Sequence, residues 1–280
     1  MIWLEAKPIV EKMKEEDRHA VAALGFAPRL VIIYVGENPA IETFISLKKA
    51  YAAEVGVEVR VRRFPSTISG NSLREELNMI VHTPTHEPPN HGVIIQLPLP
   101  QWSDPGKTND PSSILDGVSP EKDVDVLSST LFGKFKNNKS PFLPPMVGAV
   151  SSLCEYYGIA VAHRMVVIVG WGLLVGQPLS VWFAQQKAVP LVIGVDDAAL
   201  RERFLPLADI IVSGVEGKRG FITGDLIKEK TVVIDAASNV DIDSVKEKAA
   251  FLTPSKGSIG PLTVAFLIRN TIKAAIHQRR

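Results

Sequence analysis

Three groups of residues in this chain have types and spacings suited to chemistry. The first is a lysine out of place. Wound as an α-helix at about 100° per residue, ETFISLKKAYAAEVG (42–56) gathers Phe44, Ile45, Tyr51, Ala52 and Val55 on one arc with Ile41, and Leu47 at its edge. Glu42, Ser46 and Glu54 fall opposite, Lys49 lies near the boundary, and Lys48 sits near the centre of the apolar arc. Two readings follow. Either the lysine stem covers apolar surface while its head bends out to water, or the helix lines a cleft dry enough to lower the amine's pKa. In the second case Lys48 exchanges protons near neutral pH.

The second group is Gln96, which ends GVIIQ, together with Asp123 and Asp125, which flank a valine in SPEKDVDVL (119–127). A strand-end amide either tethers a loop or hydrogen-bonds a ligand. Because parallel strands gather ligands at their carboxyl ends, the lysine, glutamine and aspartate are expected to converge on one cleft.

The third group is VVIVGWGLLVGQPLSVWFA (166–184), which reads as a strand, a glycine turn and a helix. Gly170, Gly172 and Gly176 are spaced G-x-G-x-x-x-G, one residue longer than the usual dinucleotide fingerprint. Such a turn lets the backbone approach a phosphate at the helix N-terminus, although an ordinary strand-to-helix corner has the same look. Asp196 lies twenty residues after Gly176, where an acid accepts from a ribose 2′-hydroxyl and favours NAD. Alternatively, Asp196 or Asp197 caps the helix beginning AALRERF.

The elements that must position these groups alternate along the chain. PRLVIIYVG (28–36), VEVRVRRF (57–64) and the start of GVIIQLPLP (92–100) read as strands, with SLREELNMIVH (72–82) a helix between the last two. PQWSDPGKTNDPSS (100–113) is rich in turn formers and reads as a surface loop. MVVIVG (165–170), PLVIGV (190–195), ADIIVSG (208–214), TVVIDA (231–236) and AAFLTP (249–254) are spaced as strands of a second, parallel sheet. GPLTVAFLIRNTIKAAIHQ closes the chain as a helix with Pro261 near its start. The fold class is therefore α/β: two α/β domains flanking a cleft, the second a Rossmann-like doubly wound parallel sheet.

Composition narrows the function classes. Lys plus Arg number 31 against 30 Asp plus Glu, a balance that offers no electrostatic footprint for nucleic acid or an anionic membrane. No unbroken apolar run reaches the ~18 residues of a membrane span, and the charged start, MIWLEAKPIVEKMKEEDRHAV, lacks a signal-peptide core. Cys154 is the single cysteine, which excludes an internal disulfide and fits a reducing, cytoplasmic compartment. Its helical surroundings, VGAVSSLCEYYG, read as core. The scattered histidines form no metal-ligand pattern, so no metal is expected.

YVGENPA, TFISLKKAYAAEVG, PSTISGNSLREEL, GVIIQLPLP, PEKDVD, VGWGLLVGQP and LTPSKGSIGPLTVAFLIRNT follow one another across nearly the whole chain. In that order they resemble the methylenetetrahydrofolate dehydrogenase/cyclohydrolase family. The resemblance implies a folate-binding catalytic domain (1–145), to which the C-terminal helix (261–280) returns, and a Rossmann-like dinucleotide-binding domain (146–260). It implies oxidation of 5,10-methylenetetrahydrofolate with NADP and hydrolysis of the methenyl product to 10-formyltetrahydrofolate. It also implies a cytosolic homodimer.

Matched residue by residue, Lys48 falls on the family's catalytic lysine, Gln96 on the glutamine beside it, and Asp125 on the aspartate that holds the pterin. Phe44, Leu97, Pro98, Gly260 and Pro261 then join the substrate side. Gly170, Trp171, Gly172, Leu174, Val175, Asp196, Ser213, Gly214 and Asn239 make up the cofactor side. The chain departs from the pattern at several of these positions. Phe44 replaces a tyrosine, Val126 a glycine, Met146 a threonine, and Ser258 a glycine of the late motif. Trp171 and Gly172 replace an arginine and a serine, and acids occupy 196 and 197. Loss of the cation and gain of acids disfavour a 2′-phosphate, so the resemblance points to NADP and the local charge to NAD. A cyclohydrolase alone, or a folate-binding paralogue without turnover, remains open at this point.

Overall fold

The computed structural model describes residues 1–82, 88–100, 111–215 and 217–279. The first half of the chain forms β1 (Ile2–Trp3), α1 (Lys7–Leu24), β2 (Arg29–Val35), α2 (Pro39–Val55), β3 (Glu58–Phe64), α3 (Gly70–Val81), β4 (Gly92–Ile95), α4 (Ser112–Leu115) and α5 (Ser129–Lys136). The second half forms α6 (Pro145–Tyr156), β5 (Met165–Val169), α7 (Gly176–Gln185), β6 (Val189–Ile193), α8 (Ala198–Phe204), β7 (Ile210–Ser213), β8 (Val232–Asp235), α9 (Ile242–Val245), β9 (Phe251–Leu252) and α10 (Ile259–Gln278). These divide into two compact α/β units, one of Lys12–Pro145 with Val264–Arg280, the other of Met1–Glu11 with Met146–Thr263.

The unit carrying Lys48 is built on a parallel sheet in the order β3-β2-β4. The middle strand, RLVIIYV, is buried at every position, which is why it reads as an unbroken apolar run. Edge strand β3 is half-buried and alternates. Val31, Ile33, Leu73, Leu77, Val93, Ile95 and Leu115 form the core between sheet and helices. The expected loop at 100–113 is described only in part. Residues 101–110 lie outside the described residues, and Ser112–Leu115 is a helical turn with Ile114 and Leu115 buried. That corrects the loop reading at its end: the turn formers there carry two apolar residues that the core claims.

The second unit holds a six-stranded parallel sheet in the order β1-β9-β8-β7-β5-β6. The chain winds outward both ways from β5, the switch point at which a doubly wound sheet opens a crevice. Two α/β units with parallel sheets, the second Rossmann-like, are the fold class that the alternating pattern announced.

By length and composition α10 could cross a membrane, but most of it is buried within the fold. Asn270 is buried and donates to the carbonyls of Val124 (2.9 Å) and Leu143 (2.8 Å). Arg269 binds Asp17 (2.7 Å) and Glu16 (2.9 Å). These are the contacts of a core helix.

Candidate active site

Helix α2 is fixed at both ends. Asn38 caps it by accepting from the Ala40 amide at 2.9 Å, Pro39 fills its first turn, and Gly56 ends it at φ +83°. Its rotation is set by Ile41, Ile45, Tyr51, Ala52 and Val55, which are buried. Tyr51 donates its hydroxyl to Asp17 of α1 at 3.0 Å, and Arg269 of α10 grips the same carboxylate.

Phe44 and Leu47 depart from the expected arc. They are 48% and 47% exposed, because the sheet can cover only part of so wide an apolar face. With Lys48, four residues beyond Phe44, they leave an apolar strip uncovered within this unit.

Lys48 is half-buried, and its Nζ donates to Gln96 Oε1 at 2.6 Å. Gln96 continues β4, its amide bonded to the Ile33 carbonyl at 2.8 Å. Its side-chain Nε2 donates to the Leu97 carbonyl at 3.1 Å, which turns Oε1 toward the lysine. The following Leu97–Pro98 peptide is cis; Leu97 packs on the core and Pro98 is exposed. The two aspartates divide their labour. Asp123 is buried and accepts from the Leu127 (3.2 Å) and Ser128 (2.7 Å) amides, so it shapes the turn. A parallel bridge pairs Asp123 with Val93. The chain turns directly after it, the Val126 amide bonding back to the Asp123 carbonyl at 3.3 Å, and Asp125 comes close enough to Lys48 for each charge to act on the other.

Electrostatics single out Lys48 and Asp125. Burial lowers the Lys48 pKa from its ordinary value, and the Asp125 carboxylate partly restores it. Burial pushes Asp125 up to about 6, with Lys48 pulling it back and Asp123 adding to the rise. Each group is thus drawn toward its neutral form, the state in which an amine can accept a proton. Val126, next in line, is buried with φ +61°, a left-handed conformation that a β-branched residue rarely adopts. Strained backbone of this kind gathers at functional sites.

In the second unit, Gly170 opens the turn after β5 at φ +100°. A Cβ at Gly176 would collide with the Gly170 carbonyl oxygen, and one at Gly214 would come within 2.5 Å of Val175. Both glycines are therefore required for the turn to close on α7. Gly172 has open space around it, and Trp171 and Leu174 are exposed at 60% and 43%. No side chain caps the N-terminus of α7, where Val175 is the cap residue. An open glycine cradle ending at an uncapped ten-residue helix fits a pyrophosphate.

Asp197 accepts from the Leu200 amide at 2.9 Å and so caps α8, which releases Asp196 from that duty. Asp196 pairs instead with Lys218, a residue that the sequence reading passed over. The available signal was its place in VEGKRG, just past the carboxyl end of β7. Ser213 and Asn239 lie beneath. Asn239 is fully buried; its Oδ1 accepts from Ser213 Oγ (2.6 Å) and the Val215 amide (2.9 Å), while Nδ2 donates to the Val215 (2.7 Å) and Lys218 carbonyls. All four of its hydrogen-bonding capacities are spent bracing the loop that carries Lys218. Gly260 and Pro261 form the first turn of α10, preceded by Ser258, whose buried hydroxyl donates to the Leu4 carbonyl at 2.7 Å.

Among the described residues, no cluster of histidine, cysteine or acidic groups could hold a metal ion. Cys154 is buried, with its thiol pushed up to about 12 by desolvation.

Known proteins resemble the whole chain. Residues 4–125 match the catalytic domain of tetrahydrofolate dehydrogenase/cyclohydrolase, and residues 144–279 match that family's NAD(P)-binding domain. The bifunctional protein FolD of Nitratiruptor sp. is 33% identical, with 99% of each chain covered. The structure of the Campylobacter jejuni bifunctional enzyme FolD, a methylenetetrahydrofolate dehydrogenase/cyclohydrolase, superposes with a TM-score of 0.89 at 28% identity over 99% of each chain. The Trypanosoma brucei enzyme, complexed with NADP and an inhibitor, gives a TM-score of 0.90 at 25% identity, covering 100% of this chain and 99% of its own.

Proposed function

Because the chain belongs to the tetrahydrofolate dehydrogenase/cyclohydrolase family, we propose that Lys48, Gln96 and Asp125 are its catalytic centre and that NAD is its preferred cofactor. The protein is a bifunctional enzyme of folate one-carbon metabolism. It oxidises 5,10-methylenetetrahydrofolate to the methenyl form and hydrolyses that to 10-formyltetrahydrofolate.

The hydrolysis rests on one observation, the 2.6 Å bond from Lys48 Nζ to Gln96 Oε1. The methenyl substrate is a cation, so its bridging carbon accepts water once a base removes a proton. Lys48, its pKa lowered by burial, takes that proton as the water oxygen bonds to the carbon. The carbinolamine then opens: the bond from carbon to one folate nitrogen breaks, the hydroxyl proton leaves to give the formyl carbonyl, and that nitrogen regains a proton. Gln96 holds one N–H of the amine, which leaves the lone pair to face the substrate. Asp125 hydrogen-bonds the pterin, and the exposed Phe44 ring stacks on the substrate without the hydroxyl that a tyrosine would add. Leu97 and Pro98, which follow Gln96, complete the substrate side of this unit. An intact Lys48–Gln96 pair argues against a paralogue that only binds folate.

A bound nicotinamide dinucleotide supplies the hydride acceptor for the oxidation. Gly170, Gly172 and Val175 would carry its pyrophosphate, Trp171 and Leu174 flank it, and Gly214 keeps the crevice wall close. Asp196 accepts from the adenosine ribose 2′-hydroxyl, the feature that favours NAD. Ser213 and Asn239 act indirectly, by bracing the loop. We also assign the enzyme to the cytoplasm, which the lone buried Cys154 suits, and to a homodimer, whose mass in solution light scattering checks.

Methylenetetrahydrofolate with NAD or NADP in parallel, followed by absorbance of reduced nicotinamide, tests the oxidation. Faster reduction of NAD is expected. Faster reduction of NADP would reverse the cofactor assignment, and no reduction of either would leave the hydrolase alone.

A further inference from the structure

Strand β5 lies between β6 and β7. Neighbouring strands stand about 4.8 Å apart, so the carboxyl ends of β6 and β7 are separated by roughly 10 Å, with the Gly170 turn between them. Asp196 follows β6 and Lys218 follows β7, yet their side chains form an ion pair. The link therefore passes across the end of β5, where the crevice rule seats the dinucleotide. Its two halves are held differently. The backbone under Lys218 is tied down by the buried Asn239 amide, whereas the lysine side chain is exposed and reaches out to Asp196. Arg201, the other cation close to Asp196, is committed to the Val195 carbonyl and stacks over Phe221 at 5.3 Å.

An exposed pair of this kind contributes little to the stability of the fold, so either partner is readily exchanged for a ligand. A 2′-phosphate brings about −1.5 to −2 charges and would draw Lys218 strongly, but Asp196 stands at the same spot and repels it. A 2′-hydroxyl needs only the carboxylate.

We propose that Lys218 is the cofactor-specificity residue of this chain: a latent receptor for the 2′-phosphate of NADP that Asp196 keeps engaged. The inference rests on the dinucleotide reading above and names the residue through which that preference is set. Trp171 replaces the expected arginine, so a cation for the phosphate must come from another element, and β7's loop delivers one.

Calorimetric titration with adenosine 2′,5′-bisphosphate and with 5′-AMP tests this directly in four proteins: wild type, Asp196→Asn, Lys218→Met and the double variant. Both side chains are exposed, so folding is not at stake. Asp196→Asn should raise affinity for the bisphosphate relative to 5′-AMP by about tenfold or more, the effect of one charge-assisted contact. The double variant should keep only the relief of repulsion, so its gain over Lys218→Met should be at least about threefold smaller than the gain of Asp196→Asn over wild type. An equal gain in the two backgrounds would overturn the proposal, since Lys218 would then take no part in reading the phosphate. A ratio unchanged in Asp196→Asn would overturn it equally. Failure of all four proteins to bind either nucleotide would remove the dinucleotide reading itself, and the inference with it.

Discussion

Asp125 is held in a folded protein that would prefer it neutral, and the cost of that arrangement is measurable. Burial lifts its pKa from 3.8 to about 6 even with the Lys48 ammonium pulling the other way. An acid whose pKa is higher in the folded state binds its proton more tightly there. The protein therefore loses stability as pH rises from about 3.8 to about 6, and the loss is complete above that window. A gap of about two pH units, at about 1.4 kcal/mol each, sets a ceiling near 3 kcal/mol. Asp125 is not wholly shielded from solvent, which brings the expected figure to about 1–2 kcal/mol. Asp125→Asn imitates the protonated acid. It should raise stability by that amount in urea unfolding at about pH 8, flatten the slope between about pH 4 and 6, and leave stability near pH 4 unchanged. Folate affinity should fall in the same variant. An Asn variant less stable than wild type at about pH 8, with the slope intact, would show that the carboxylate is well solvated or fully compensated, and would refute the reasoning.

Two further substitutions probe the supports of the site. Tyr51→Phe removes a donor to the buried Asp17 carboxylate and should cost about 1.5–3 kcal/mol, as hydrogen bonds to charged groups do; a urea midpoint shift equivalent to less than about 0.5 kcal/mol would mean that Arg269 satisfies the Asp17 carboxylate without the tyrosine. Gly176→Ala drives a methyl group into the Gly170 carbonyl and should cost about 1–3 kcal/mol and most dinucleotide binding, measured by thermal unfolding and calorimetry. Gly172→Ala, in open space, should stay within about 0.5 kcal/mol of wild type and serves as the control.

What the sequence made legible follows from what each signal depends on. Strands β2, β4, β5, β7 and β8 are short, buried and β-branched, and their run lengths alone mark them. Lys48 stood out because a charge on an apolar arc is a local contradiction, which is where functional sites tend to break local rules. Strand β1 left no trace, since two residues have no periodicity; it exists because Ile2 and Trp3 pair with Phe251 and Leu252. Phe44 and Leu47 were grouped with the apolar arc because a helical wheel registers apolarity but not which neighbour arrives to cover it. Lys218 was missed for a related reason. Its role depends on a partner 22 residues away, brought within reach by strand order.

Lys48 carries the central claim, and Lys48→Met tests it with the least disturbance to the fold, since a thioether stem of similar length replaces the half-buried lysine. Loss of methenyltetrahydrofolate should slow by about a hundredfold or more, the contribution of a positioned general base, while the unfolding midpoint holds or rises. Hydrolysis at the wild-type rate in a folded Lys48→Met protein would contradict the account.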